Sequence, residues 1–525
     1  MSLIRAAATV GSFTMISRVT GFVRDVLIAA LLGAGPVADA FFVAFKLPNF
    51  FRRLTAEGSF TVAFVPLFAG TLEADGVAAA KRFASDVLAM MCAVLLALTL
   101  AMELTMPWMM HVMAPGFVAT PDRFALAVDL TRITFPYLPL ISLVALYGGI
   151  LNSIDRFAAM ASAPILLNLI LIGAMVGFAD RLETPGHVLA WGVAAAGLAQ
   201  LIWLIAAARR DGWTLTLRLP KATPGVRKLF RLMLPAMLGA GVVQINLLID
   251  MVLASTLPLG SISFLYYADR VNQLPLGVIG VAISTALLPM LSRQWRVGDG
   301  EAALETQNRA LEFGALLTVP AAIGLAVLAT PIITVLFERG AFEAADTAAT
   351  AAAMTAFAAG LPAFVLVKVL QPGFFAREDT KTPVKVAAAA VALNLVLNLI
   401  LMQYLAHVGL ALATAIASWM NALVLARLLH RDGAFHLDAR SRRRLPRILL
   451  CALLMGGCLY GALQLAEQTV PGLFSGAAAG IGGLTALILL ALLLYFGAAL
   501  LSGAMRFSEL KTALRRRGAG AGTDC

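Results

Sequence analysis

Arg18, Arg24 and Asp25, within "SRVTGFVRD" (17–25), interrupt an apolar run from Val10 to Leu32. An arginine at the centre of a bilayer costs roughly 2.5–3.5 kcal/mol on insertion scales, so one kept there needs a partner or a ligand. The next apolar run adds Asp39, Lys46, Arg52, Arg53 and Glu57. Across the two runs the cations outnumber the carboxylates, so internal pairing leaves positive charge over. A guanidinium is a planar fork that bonds carboxylate or phosphate oxygens bidentately and stays charged. Several of them, brought from different helices, suit a diphosphate better than a single carboxylate.

The elements that carry these residues read as helices. At about 100° per residue, Arg18 and Asp25 share a face, and Arg24 lies about 120° from Arg18. Holding both arginines at one site therefore requires a wide aqueous cavity or a bend near Gly21. Asp39, Lys46 and Arg53 form a heptad stripe, with Glu57 within about 40° of Arg53. Pro48 is expected to break or kink this second helix just before Arg52. The second half of the chain has fewer such charges: Asp250, Asp269, Arg270 and Lys368. Asn246 and Asp250, and Asn394 and Asn398, are spaced i, i+4 and share helix faces. Interhelical hydrogen bonding is the default role of these pairs, and coordination of an ion such as Na⁺ is the alternative.

The composition sets these helices in a membrane. The 525 residues are 60% hydrophobic and 13% charged, about half the charged fraction of a soluble protein. They fall into about fourteen apolar runs of bilayer-crossing length. The net charge of +11 gathers in alternate connections, such as Arg209–Arg231, Arg377–Lys385 and Arg427–Arg447. Segments between them, such as "GAGPVAD" (33–39), "APGFVATPD" (114–122) and "LAHVG" (405–409), have no lysine or arginine. The positive-inside rule then puts both termini in the cytoplasm. No basic segment belongs to a nucleic-acid-binding fold, so nucleic acid is not an expected partner.

Other chemistries find little support. There is no GxxxxGK[ST] phosphate loop, and the histidines show no metal-ligand spacing. Cys451 and Cys458 lie about 10 Å apart along one helix, too far for a disulfide. The first apolar run is too long for a signal peptide. "GAAAGIGG" (476–483) opens an apolar helix with no strand before it and reads as small-residue helix packing.

A weak internal repeat runs through the chain. "EGSFTVAFVPLF" (57–68) resembles "GVAISTALLPML" (280–291), and "APILLNLILIG" (163–173) falls near "VALNLVLNLIL" (391–401) at a similar offset. Two six-span halves related by an axis along the membrane normal are a common transporter plan. The expected division is an N-terminal lobe at 1–210, a C-terminal lobe at 211–430, and two further spans with a basic tail at 431–525.

The stretch 17–68, with "FLYYADRVNQLPLGVIGVAISTALLP" (264–289) and "LVKVLQPGFFAREDTKTPVK" (366–385), closely resembles the MviN/MurJ lipid II flippase family of the MOP exporter superfamily. The likeness covers essentially the whole chain. It implies an all-α polytopic fold with two six-helix lobes around a central cavity and two C-terminal helices forming a groove for a lipid tail. It also implies transport of lipid II, the undecaprenyl-diphosphate-linked peptidoglycan precursor, across the bacterial cytoplasmic (inner) membrane. The family's cavity arginines fall on Arg18, Arg24, Arg52 and Arg270. Asp25, Asp39, Lys46, Glu57 and Asp269 stand at other charged positions important in the family.

These residues carry no catalytic role, and no cofactor is required. Coupling to membrane potential is expected, with H⁺ or Na⁺ coupling as alternatives. Lipid II, membrane lipids and peptidoglycan-synthesis proteins are the expected partners. The competing readings are a MATE-like drug or cation exporter, whose cavity should be richer in acidic groups, and a flippase for another polyprenyl-diphosphate glycan. A membrane-embedded enzyme acting on polyprenyl phosphate would need an acid/base or metal cluster that the sequence does not display.

Overall fold

The computed structural model describes residues 3–53, 59–179, 181–474 and 476–505, and every regular element among them is a helix. Nine helical segments among these residues are long and apolar enough to cross a membrane. α1 (Leu3–Leu32) and α2 (Pro36–Arg52), which carry the charge cluster, are not among the nine. In hydrocarbon a helix satisfies its own backbone polar groups, so an apolar chain of this kind resolves into helices. The protein is a multi-pass, all-α membrane protein. It forms two compact units: one comprises residues 1–263 with the loop Arg339–Glu343, and the other comprises 264–338 and 344–525.

The first unit contains α1, α2, α3 (Thr61–Met113), α4 (Pro121–Thr134), α5 (Tyr137–Ser153), α6 (Ala158–Phe178), α7 (Pro185–Arg210) and α8 (Pro224–Ser255). α1 packs on α6, and α2 on α4. Of the break or kink expected at Pro48, the break does not occur: α2 runs through it to Arg52. Proline has no N–H to offer the carbonyl four residues back, which here belongs to Ala44. The hydroxyl of Thr134, fully buried on α4, donates to the Ala44 carbonyl oxygen at 3.0 Å in its place. A neighbouring helix thus supplies a donor to the carbonyl that the proline leaves free, sharing it with the Thr131 carbonyl at 3.2 Å, and the helix continues.

The loop Arg339–Glu343 meets the α1–α2 turn through two glycines. Gly33 has φ +62° and Gly340 φ +60°. A Cβ on Gly33 would lie 2.2 Å from the Ala341 carbonyl oxygen, and one on Gly340 would lie 2.2 Å from that of Ala30. The Ala341 N–H donates to the Ala30 carbonyl oxygen at 2.8 Å. Both the backbone conformation and the close approach require residues without a side chain.

The second unit is built from most of α9 (Ser261–Arg296), then α10 (Gly300–Val327), α11 (Ala329–Phe337), α12 (Ala344–Phe375), α13 (Lys381–Arg431), α14 (Ala439–Thr469) and α15 (Ala477–Leu501). α13 comprises two helices joined at Ala406 (φ 46°, ψ −129°), within the charge-poor "LAHVG" segment. The halves fold back on each other, so that Asn394 before the turn donates to the Thr414 hydroxyl after it at 3.3 Å.

α14 is fixed to α10 by charge. Buried Glu312 accepts from Arg309 at 2.6 Å, from Arg444 at 3.0 Å and from the Ser441 hydroxyl at 2.8 Å, with Arg440 at 3.3 Å. Asp438 caps α14 by accepting from the Ser441 N–H at 2.6 Å, and it also pairs with Arg309.

Candidate functional site

On α1 the two arginines have opposite environments. The helix runs unbroken through Gly21, so Arg18 and Arg24 stay on different faces. Arg18 is exposed on an apolar helix, and it makes no hydrogen bond or ion pair with any described residue. Arg24 is 6% exposed, and its Nε and Nη2 both donate to Asp25 Oδ1, at 3.0 and 2.6 Å. Its Nη1 donates to Asn168 Oδ1 on α6 at 2.9 Å. Asn168 Nδ2 donates to the Ser17 carbonyl oxygen at 2.9 Å and to the Thr20 hydroxyl at 3.1 Å. Arg24 is therefore built into the α1–α6 interface, whereas Arg18 presents its charge outward.

On α2, Asp39 is fully buried in the first helical turn. Its Oδ2 accepts from Arg123 Nη2 at 2.5 Å and from the Gly260 N–H at 2.9 Å. Its Oδ1 accepts from the Ser263 N–H at 3.0 Å and the Ser263 hydroxyl at 2.6 Å. Arg123 also stacks over Phe117, 3.7 Å from the ring centre, a cation–π contact. Asp39 thereby ties α2 to the start of α4 and to the residues that begin α9, all within the first unit. Lys46 and Arg52 are half-buried, and Arg53 is exposed. Arg52 Nε donates to Asn49 Oδ1 at 3.0 Å, which fixes the start of its side chain. Glu57 lies outside the described residues.

On α9, in the second unit, Arg270 is half-buried. Its Nη2 donates to the Tyr266 hydroxyl at 3.0 Å, and its guanidinium lies 4.9 Å from the centre of that ring. Asp269 accepts from Gln273, one turn further on. Asn398 donates to Asn394 Oδ1 at 3.1 Å. Asn246 and Asp250 are half-buried on α8 in the first unit.

Sequence reasoning missed the partners: Asn168, Arg123, Ser263, Thr134 and Tyr266. Each is an ordinary residue of its type until the fold brings it to a charge or a freed carbonyl. Tyr266 alone had a local signal, since it lies four residues before Arg270 on one helix face. Chemically, the first unit provides fixed cationic groups on α1 and α2 within apolar surroundings. Such groups suit a multiply charged, oxygen-rich anion.

Comparison with known proteins gives the family. The family model described as "Lipid II flippase MurJ" matches residues 28–477. "Probable lipid II flippase MurJ" of Rhizobium tropici is 45% identical over 98% of this chain and 97% of its own length. "Lipid II flippase MurJ" of Burkholderia cenocepacia is 36% identical over 88% of this chain and 90% of its own. A solved structure, "Lipid II flippase MurJ, inward closed conformation", superposes with TM-score 0.77 at 26% identity, covering 93% of this chain and 97% of that one. A multidrug-resistance MATE transporter of the MOP superfamily shares the fold, with TM-score 0.66 at 16% identity over 82% of this chain.

Proposed function

The chain belongs to the MurJ lipid II flippase family, and on that premise we propose that it carries lipid II from the cytoplasmic to the periplasmic leaflet by alternating access. The observation that carries this reading is Arg18, an exposed arginine within the apolar α1 that has no partner among the described residues. Such a group is tolerable where water and an anion reach it. Lipid II fits the requirement. Its diphosphate and sugar–peptide headgroup cannot cross hydrocarbon unaided, while its prenyl tail can remain in lipid.

Arg18 and Arg52, in the first unit, bind diphosphate, and Arg270, in the second, is a further diphosphate-binding arginine. Arg24 backs this site from the α1–α6 interface. Asp269 is a carboxylate that orients basic groups or forms a gate, and Lys46 is a further cavity charge. Asp39, buried among four donors, closes its end of the first unit by holding α2 against the beginning of α9. α14 and α15 accommodate the tail, and no catalytic step is involved. Both termini lie in the cytoplasm, as the basic connections require.

With the cell interior negative, outward movement of an anion runs downhill by about 2.3 kcal/mol per charge per 100 mV. Membrane potential can therefore drive the outward step, and H⁺ or Na⁺ coupling is the alternative. The test is lipid II exposure on the outer leaflet of cells depleted of the protein and supplied with wild type or variants. Wild type restores exposure, and Arg18→Ala does not. Collapsing the potential while keeping the pH gradient stops flipping. Normal exposure with Arg18→Ala would sink the binding-site reading, and unchanged flux without potential would sink the energetic one.

A further inference from the structure

We propose that Asn168 is a positioning residue for substrate binding: it fixes the orientation of the Arg24 guanidinium and, through it, the cationic face that α1 offers the diphosphate. The proposal rests on the reading of Arg24 as backing the diphosphate site from the α1–α6 interface. Arg24 Nε and Nη2 converge on a single oxygen, Asp25 Oδ1, along one edge of the fork. The bond from Nη1 to Asn168 Oδ1 at 2.9 Å holds the opposite side, so the two partners together specify the plane of the guanidinium.

Asn168 is itself fixed, because its amide nitrogen is committed to the Ser17 carbonyl and the Thr20 hydroxyl, one to two turns before Arg24. Both ends of the amide are thus specified: its oxygen faces a donor, and its nitrogen faces acceptors. Asn168 is 4% exposed on a helix that is otherwise apolar from Pro164 to Ile172, where a polar side chain without a task is costly.

An amide also suits the position electrically. It accepts from Arg24 without adding charge, whereas a second carboxylate beside Asp25 would make the cluster anionic and repel a diphosphate. Gly21 makes the approach possible. A Cβ there would meet Asn168 Nδ2 at 3.3 Å and crowd the amide.

The test combines binding with melting of the purified full chain in lipid nanodiscs, using lipid II as the probe. Asn168→Ala is measured in the wild-type and in the Arg24→Lys background. Lysine keeps the charge but has no planar fork for Asn168 to orient. Asn168→Ala is expected to weaken lipid II binding about tenfold in the wild type and less than about twofold in Arg24→Lys. Gly21→Ala is the second probe, because alanine favours the helix while crowding the amide. It is expected to weaken binding several-fold without lowering the melting temperature, a combination that loss of a structural contact does not produce.

If Arg24→Lys binds lipid II as wild type does, the reading of Arg24 fails, and Asn168's role falls with it. If Arg24→Lys weakens binding but Asn168→Ala costs the same in both backgrounds, that reading stands and the role of Asn168 is overturned. Unchanged binding in Gly21→Ala also overturns it, and this variant decides the matter should Asn168→Ala fail to fold.

Discussion

Arg18→Ala and Arg24→Ala should separate function from stability, although the two residues lie on one helix. Arg24 and Asp25 are buried together, with side chains 8% and 3% exposed and a contact of 2.6 Å. Removing the guanidinium deprives Asp25 of this partner in a low-dielectric site. Breaking a buried pair in this way typically costs about 3–5 kcal/mol. Asn168 also loses the donor to its carbonyl oxygen, which adds on the order of 1 kcal/mol.

Arg18 is exposed and has no partner among the described residues, so its truncation should move stability by no more than about 0.5 kcal/mol. A lost charge-assisted contact to phosphate costs about 1.5–3 kcal/mol, or roughly ten- to 150-fold in lipid II affinity. The assay is thermal unfolding of purified protein in nanodiscs, with lipid II binding measured on the same samples. Arg24→Ala should melt several degrees lower, and Arg24→Ala with Asp25→Ala should recover part of that loss, because the buried carboxylate is gone. Arg18→Ala should melt like wild type and bind lipid II poorly. Equal destabilisation by the two single substitutions would refute the division of roles. Wild-type lipid II affinity in Arg18→Ala would refute the contact with diphosphate.

Thr134→Val removes the hydroxyl that replaces the N–H missing at Pro48, and it should destabilise by about 1–2 kcal/mol. Pro48→Ala restores the N–H, so Thr134→Val should cost much less in that background, as melting of the four proteins would show. Gly340→Ala meets both positive φ and a carbonyl 2.2 Å from the new Cβ. It should free the Arg339–Glu343 loop from α1, read as faster hydrogen exchange at the Ala341 amide; unchanged exchange would contradict the contact. Asp438, at the start of α14, should give a pH signature. Burial raises its carboxyl pKa, but the Ser441 hydrogen bonds and the Arg309 and Arg440 charges outweigh that and hold it below its ordinary value. A carboxyl lowered in the folded state stabilises above its unfolded pKa of about 3.9, and that stabilisation is lost as pH falls through the folded value. Protection of the Ser441 amide should therefore decline below about pH 4, and Asp438→Asn should show no such decline.

The fold class was legible because a membrane leaves the chain few options. Long apolar runs and the alternation of basic and uncharged connections specify a multi-pass helical protein before any contact is known. The charged positions were legible for the same reason, since charge inside such runs is costly and conspicuous. Helical geometry also set Arg18 and Arg24 about 120° apart, and the unbroken α1 keeps them on different faces. The fate of Pro48 was not legible. Whether a proline breaks a helix depends on what lies beside the carbonyl it frees, and here that group is Thr134, far away in sequence on α4. Asn168 was hidden likewise: one asparagine in an apolar helix has no local feature that marks it as the partner of Arg24.

Counting charges by helix treats the arginines of α1 and α2 as equivalent, and burial divides them. Arg24 and Arg123 have carboxylate partners with few degrees of freedom, at Asp25 and Asp39, and both pairs lie out of solvent. A buried pair of this kind is weak evidence for net stability, because desolvation offsets much of the attraction. What it does provide is placement: Asp25 and Asn168 set where Arg24 lies, while Asp39 sets where α2 meets α4 and the beginning of α9. Arg18 has no such arrangement among the described residues, so its electrostatic cost is not offset within the described part of the fold. A lipid-linked diphosphate at the surface of α1 would offset it during transport. On the proposed function, the paired groups serve as a frame that sets where α1 carries its exposed cation.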